Sequence, residues 1–347
     1  FAALPTERYV DYNEPGIGAH TDIALNRDEI HLEPEMAMVQ ASENVVKEAQ
    51  APGQSPYNST TGEENPDFDM RVLKETEVVS LDPAVKPFIP QSMSGYTGNA
   101  KTFIRKGDAD FNNFLEINNF IGAYPEGKSF YTNGRRFSSW NDLAGSIGQG
   151  PKGDICDIDR DYYPYPPDCV NPHRCSWASC GDDIGFVEKV IDYHKNQYDI
   201  KSVIVIGMSN GGMLAQAIGC KLTDKVDAII NIEGMQALGM SCIPKKPLTM
   251  VIYGAKNDTT VPPEDILASD GYFYEPMKNT VNDWKNAFNC SDSTKKQISN
   301  PTEISEEHFY NCDGGVTITS ILDHNNDHDW PKPYKWGINL LFAPLLN

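Results

Sequence analysis

Ser209 lies in the sequence Gly-Met-Ser-Asn-Gly at 207–211, a Gly-x-Ser-x-Gly pattern. The β-branched apolar run at 202–206 predicts a buried strand before it, and the segment at 211–218 predicts a helix after it. Between a strand and a helix this pattern makes a sharp turn that lifts the serine hydroxyl out of the sheet. We therefore predict that Ser209 is a nucleophile. The alternative is an ordinary serine in a glycine-rich turn.

A nucleophilic serine needs a base that takes its proton and an acid that orients the base. Asp258 lies in the loop after a predicted strand at 248–253, and His328 lies in the loop after a predicted strand at 316–321. Loops that follow parallel strands meet at one edge of a sheet. We predict that His328 is the general base and that Asp258 is its orienting acid.

His324 is a rival of His328, because it lies four residues earlier in the same loop. A His-x-x-x-His pair holds a metal ion when a helix places both rings on one face. The segment 323–327 is rich in Asp and Asn, a composition typical of a turn. The favoured interpretation therefore contains no metal ion and needs no cofactor.

The predicted elements alternate between strands and helices from about residue 71 onward. Such alternation predicts a three-layer α/β sandwich with a mostly parallel sheet flanked by helices. The strands are expected at 120–125, 202–206, 226–232, 248–253 and 316–321, and the helices at 184–194, 211–218, 276–288 and 334–345.

The chain divides into two predicted regions. Residues 1–75 are acidic, with little periodicity, and predict a largely irregular N-terminal extension, whereas 76–347 are expected to form the catalytic domain. The domain carries a Cys-, Tyr- and Pro-rich insertion at 151–180. Tyr163 and Tyr165 on this insertion are expected to contact flat apolar or sugar rings of a substrate. The alternative is a surface loop whose rings pack on the domain.

Composition excludes several classes of partner. The formal net charge of −20 argues against nucleic acid and anionic surfaces, and no apolar run is long enough to span a membrane. Eight cysteines and the sequons at Asn58, Asn257 and Asn289 predict disulfides and a secreted, extracellular protein. The sequon at Asn257 is not expected to carry a glycan, because it lies beside the predicted acid Asp258. The chain begins with Phe1 and no signal segment follows, which predicts a processed chain or a fragment. The sequence leaves the oligomeric state open.

Several spaced motifs in this order resemble the polyhydroxybutyrate-depolymerase-like and feruloyl-esterase-like secreted α/β-hydrolases. The resemblance spans about residues 85–335, and its motifs are Ser94–Ala100, Tyr124–Gly127, Ser139–Asn141, Asp182–Phe186, Gly207–Gly212, Asp258–Pro262 and His328–Pro331. It implies an α/β-hydrolase fold and a serine carboxylesterase. The implied substrates are small-molecule or polymeric esters with feruloyl, acetyl or hydroxyalkanoate groups.

The resemblance also implies further roles for individual residues. Backbone N–H groups of Asn210 and of Tyr96 or Thr97 are expected to form the oxyanion hole. Trp330 is expected to contact substrate. Members of the family often pair cysteines at the positions of Cys290 and Cys312.

The chain departs from the family at the strand before the oxyanion loop. Ser94-Gly95 stands where the family carries His-Gly, and Pro90 falls in a strand that is expected to be central. These departures motivate an alternative function, in which a catalytically retired esterase-like protein binds glycans or serves in a surface assembly.

Overall fold

The structure is a computed structural model that describes residues 111–346 except for 133, 144–148, 158–163 and 165–177. Before residue 111 it describes short pieces only, namely 2–3, 25–26, 39–40, 88–93, 96, 98, 105–106 and 109–110. Most of the predicted extension at 1–75 therefore lies outside the described residues, and the boundary at 75 stays a prediction. Thr97, Tyr163 and Tyr165 also lie outside them.

The strands alternate with helices along the described chain. In chain order the strands are β1 (Ala2–Ala3), β2 (Leu25–Asn26), β3 (Val39–Gln40), β4 (Phe88–Met93), β5 (Arg105–Lys106), β6 (Ala109–Asp110), β7 (Pro125–Glu126), β8 (Lys128–Thr132), β9 (Arg135–Ser139), β10 (Gln149–Gly150), β11 (Gly153–Asp154), β12 (Ser202–Met208), β13 (Ala228–Ile232), β14 (Thr249–Ala255), β15 (Asp292–Ile298), β16 (Ile304–Tyr310) and β17 (Ile318–Asp323). The helices are α1 (Phe111–Ile117), α2 (Asp183–Gln197), α3 (Asn210–Lys221), α4 (Met277–Ala287) and α5 (Tyr334–Leu346), with a 3₁₀ turn at Asp313–Gly315.

The predicted helices and most predicted strands are confirmed. The strand expected at 120–125 is wrong in extent, because the strand in that region, β7, covers Pro125 and Glu126. None of the helices in the described part of the chain has the length and apolar character that crossing a membrane requires.

The central sheet has the order β15-β16-β17-β14-β13-β12-β4. Neighbours from β17 to β4 run parallel, and β15 and β16 add an antiparallel hairpin at the other end. Side chains of β12 alternate between two cores, because successive residues of a strand point to opposite faces. Val203 and Val205 pack in one core with α2, α3 and α4, and Ile204 and Ile206 pack in the other with α1 and α5. This three-layer arrangement is the predicted α/β-hydrolase fold.

The strand that contains Pro90 ends the described sheet instead of lying at its centre. β4 pairs with β12 on one side, with Pro90 opposite Ile204. A proline removes a hydrogen-bond donor, which an edge strand tolerates because it bonds to one neighbour. The position of Pro90 is therefore compatible with an ordered strand leading into the predicted oxyanion loop.

Candidate active site

Four parallel strands, β12, β13, β14 and β17, end side by side at the carboxyl edge of the sheet. Each is followed in its loop by a side chain that can take part in proton transfer, namely Ser209, Glu233, Asp258 and His328. The last residues of β12 and β13, Met208 and Ile232, are paired in register, which places the loops they begin next to each other. Three of these four residues were predicted from sequence, and Glu233 was missed.

Ser209 occupies a strained turn between β12 and α3. Its φ of 55° and ψ of −125° lie outside the regions that a serine ordinarily adopts. Its backbone N–H donates to Ile232 O at 2.8 Å, which ties the turn to β13. Gly207 makes the turn possible, because a Cβ at that position would lie 2.1 Å from Gly211 O. The pattern recognised in the sequence thus forms the predicted sharp turn between strand and helix, with Ser209 half-buried at its tip. The role of Ser209 as a nucleophile stays a prediction.

Asn210 is the first residue of α3, so its backbone N–H has no acceptor within the helix. The N-terminus of a helix also favours negative charge. The side chain is buried and held by Trp140, whose N–H donates to Asn210 Oδ1 at 2.7 Å and whose carbonyl accepts from Asn210 Nδ2 at 3.3 Å. This rigid placement agrees with a role for the Asn210 N–H in an oxyanion hole, which stays a prediction.

The loop after β4 is the expected source of the second oxyanion donor. Tyr96 is half-buried there, with its ring centroid 5.9 Å from that of Phe137. Its hydroxyl donates to the carbonyl of Pro164 at 2.7 Å, so the loop is tied to the predicted insertion. The assignment of the donor to Tyr96 or Thr97 stays a prediction.

Asp258 and His328 form a hydrogen-bonded pair, with 2.7 Å between Oδ2 and Nδ1. The Asp258 carboxylate is buried, and its Oδ1 accepts from the N–H groups of Thr260 and Val261, both at 2.8 Å. These two bonds fix the carboxylate with Oδ2 directed at the imidazole. Because a carboxylate accepts only, Nδ1 carries the proton and Nε2 is left as an unprotonated nitrogen, as the predicted base requires. His328 is 23% exposed and so remains accessible to substrate.

The loop that carries His328 is held by its own side chains. Asp323 Oδ1, at the end of β17, accepts from the Asn326 N–H at 3.1 Å. Asn326 Nδ2 donates to the carbonyls of Asp329 and Trp330 at 2.8 and 2.9 Å. The Asp and Asn side chains that predicted a turn therefore hold the loop that carries His328 in one conformation.

His324 and Trp330, the other predicted site residues in this loop, have contacts outside the Asp258–His328 pair. His324 Nε2 is 2.7 Å from Ser305 Oγ on β16. Trp330 is 3% exposed and packs edge-to-face on Phe111 of α1, with 6.2 Å between ring centroids. Its expected contact with substrate stays a prediction.

Glu233 faces the same imidazole nitrogen as Asp258. Its side chain is fully buried, and its Oε2 lies 3.4 Å from His328 Nδ1. Burial raises the pKa of this carboxyl well above its usual value, and the negative charge of Asp258 raises the pKa further. Its place directly after a predicted strand was the available sequence signal.

One group of side chains in the described residues has the spacing of a metal site. The ligand atoms of Glu233, Asp258 and His328 lie within 4.8 Å of one another. However, the 2.7 Å separation between Asp258 and His328 is that of a hydrogen bond, which requires a proton on Nδ1. A metal ion bound to Nδ1 would have to displace that proton.

No protein-family model and no curated protein sequence matches this chain. Solved structures to which the chain is distantly similar include an acetyl xylan esterase from Aspergillus awamori, with 14% identity, a TM-score of 0.46, and coverage of 75% of this chain and 90% of that one. A variant of SOBER1 from Arabidopsis thaliana has 12% identity, a TM-score of 0.44, and coverage of 75% and 99%. The esterase PE8 has 12% identity, a TM-score of 0.42, and coverage of 76% and 94%.

Proposed function

We propose that the protein is a serine carboxylesterase that uses Ser209, His328 and Asp258. The observation that carries this proposal is the 2.7 Å hydrogen bond between buried Asp258 and His328, at the same edge of the sheet as the strained Ser209. A nucleophile, a base and an orienting acid are the three groups that acyl transfer by a serine needs.

The reaction follows from the roles of these groups. Ser209 Oγ attacks the carbonyl carbon of the ester while His328 Nε2 takes the hydroxyl proton. The imidazolium then gives this proton to the leaving alkoxide, which leaves an acyl group on Ser209. Water, deprotonated by the same nitrogen, releases the acid and restores the serine. Asp258 keeps Nδ1 protonated and stabilises the imidazolium in both halves of the reaction.

The negative charge that develops on the carbonyl oxygen requires hydrogen-bond donors. We assign one to the Asn210 N–H, which the buried contacts with Trp140 hold in place. The second comes from Tyr96 or Thr97 in the loop after β4.

We further propose that the substrates are polymer or cell-wall phenolic esters with feruloyl, acetyl or hydroxyalkanoate groups. The motif resemblance supports this class, and Trp330, Tyr163 and Tyr165 are the assigned aromatic contacts. A secreted location is supported by the disulfides, since every cysteine in the described part of the chain is bonded to another.

The experiment is hydrolysis of a panel of esters by the wild-type protein and by Ser209→Ala. The panel contains p-nitrophenyl acetate, methyl ferulate, acetylated xylan and hydroxybutyrate oligomers. We expect turnover of p-nitrophenyl acetate and of at least one natural ester class, with a loss of about 10³-fold or more in the variant. A folded wild-type protein that hydrolyses none of them supports the retired, glycan-binding alternative.

A further inference from the structure

Glu233 is a buried carboxyl that the mechanism above does not use. It follows β13, the strand between the one that leads to Ser209 and the one that leads to Asp258. Its backbone N–H donates to Tyr253 O at 2.8 Å, so the residue is anchored to β14. The loops after two adjacent parallel strands therefore place the carboxyls of Glu233 and Asp258 near the same nitrogen of His328.

The Glu233 carboxyl has few polar contacts besides His328. Oε1 and Oε2 are both buried, and neither has a hydrogen-bond partner of good geometry among the described residues. Buried polar atoms without partners are rare in proteins, and a functional site is one of the places where they are retained. The Nδ1 of His328 lies 3.4 Å from Oε2.

The charges around Glu233 set its protonation. Burial disfavours the ionised form of Glu233, and the negative charges of Asp258, Asp329 and Asp327 disfavour it further. The nearby Asp329 backbone N–H opposes them, although its own hydrogen bond goes to Asp327 O at 2.7 Å. A negative charge is better stabilised on Asp258 than on Glu233, because two backbone N–H groups donate to Asp258 Oδ1. Two carboxyls this close to each other do not both ionise readily. Asp258 is thus the charged partner and Glu233 the neutral one.

We propose that Glu233 is a second acid for His328, a positioning residue whose carboxyl replaces Asp258 as the acceptor of the Nδ1 proton when Asp258 is neutral. This inference rests on the proposed function. In the exchange the proton of Glu233 passes to Asp258, whose carboxylate oxygen lies within 4.8 Å, or to solvent where asparagine replaces Asp258, and Glu233 Oε2 then accepts the hydrogen bond from Nδ1. The tautomer with a free Nε2 is preserved, and so is the base.

The first test is a double-mutant cycle of Asp258→Asn, Glu233→Gln and their combination, with kcat/KM measured across pH. We expect Glu233→Gln to cost at least tenfold more in the Asp258→Asn protein than in the wild type, because residues that share a partner are not additive. We also expect Asp258→Asn to lose activity on acidification at a higher pH than the wild type, since it depends on an ionised Glu233. Additive losses, or an unchanged pH profile, would overturn the proposal.

The second test is independent of ester hydrolysis, so it separates this proposal from the proposed function. In protein labelled with ¹³C at the glutamate carboxyls, one signal should titrate well above the others and be absent from Glu233→Gln. In Asp258→Asn the midpoint of that signal should fall, because the negative charge of Asp258 is gone. Asp265→Asn, at an exposed site, is the matched control and should leave the midpoint in place. A Glu233 signal whose midpoint does not respond to Asp258→Asn would contradict the proposal, whether or not Ser209 is a nucleophile.

Discussion

Asp258 and His328 are 70 residues apart in the chain, and Asp258 Oδ2 lies 2.7 Å from His328 Nδ1. The contact exists because β14 and β17 are parallel neighbours whose ends, Ala255 and Asp323, are paired in register. Each loop then has only a few residues in which to place its side chain. The pair is therefore a product of sheet topology, and Asp258 gains its fixed orientation from the backbone of its own loop.

The two histidines of the 323–330 loop give a matched comparison. His328→Gln should lower kcat/KM by about 10³-fold or more, because the base is lost. His324→Gln should stay within about tenfold of the wild type, because His324 is bonded to Ser305 on β16. Steady-state kinetics on p-nitrophenyl acetate checks both variants. Equal losses would contradict the assignment of the base.

The elbow predicts a stability defect at Gly207. A methyl group there would overlap Gly211 O, a backbone atom that cannot move aside, so Gly207→Ala should lower the free energy of unfolding by at least about 2 kcal/mol. Gly134→Asn is the control, since Gly134 has open space around it and a φ of 72° that asparagine accepts. Urea denaturation measures both. A Gly207→Ala protein as stable as the control variant would show that the turn is looser than described.

The sequence was sufficient to predict those strands and site residues that are marked by a clear apolar run or by a polar residue directly after one. The apolar run before Ser209 and the Asp and His after later strands predicted both the sheet and the Asp258–His328 pair, because parallel topology gathers the loops at the carboxyl ends of the strands. The strand expected at 120–125 failed for a different reason. An apolar run fits a strand or a buried irregular segment equally well, and only tertiary pairing decides between them.

The position of Glu233 directly after a predicted strand was not sufficient to predict its contact with His328. An acid after a strand is ordinarily a solvated loop residue, and nothing local distinguishes one whose side chain turns inward. Its φ of 49° and its contact with His328 depend on the turn after β13, which Asn231 fixes by accepting from the Gly234 N–H at 3.0 Å. A hydrogen bond of this kind, between a side chain and the backbone of a loop, is evident only once the chain is folded.

The raised pKa of Glu233 predicts a pH-dependent stability effect. The folded protein keeps this proton at pH values where the unfolded chain has released it, so stability falls as pH rises from the ordinary glutamate range toward the folded pKa. Glu233→Gln removes this loss, and its stability relative to wild type should rise with pH by up to about 1.4 kcal/mol per pH unit.

Urea denaturation of the two proteins between pH 4 and 8 measures the Glu233 effect. Glu264→Gln is the control, because it makes the same substitution at an exposed position, where the stability difference from wild type should not rise with pH in this way. A stability difference between Glu233→Gln and wild type that is constant across this range would contradict a buried, protonated Glu233.

The two fully described disulfides predict comparable stabilisation. Cys220 pairs with Cys242 and Cys290 with Cys312, and each bond spans 22 residues. The Cys290–Cys312 pairing that the family resemblance implied is thus present, and it closes the β15–β16 hairpin. Replacing either pair with serines should lower the free energy of unfolding by about 3 kcal/mol, because loops of equal length restrict the unfolded chain equally. Peptide mapping without reductant should recover both pairs, and free thiols at these positions would contradict the pairing.

The most direct measurement of the proposed nucleophile is covalent labelling of the intact protein with a fluorophosphonate, followed by mass spectrometry of the modified peptide. We expect one adduct, on Ser209, because activation by His328 makes this half-buried hydroxyl a nucleophile. Labelling should be lost in Ser209→Ala and retained in Ser202→Ala, a variant at the other end of β12. An adduct that survives Ser209→Ala, or a folded wild-type protein that forms none, would contradict the assignment of Ser209 as the nucleophile.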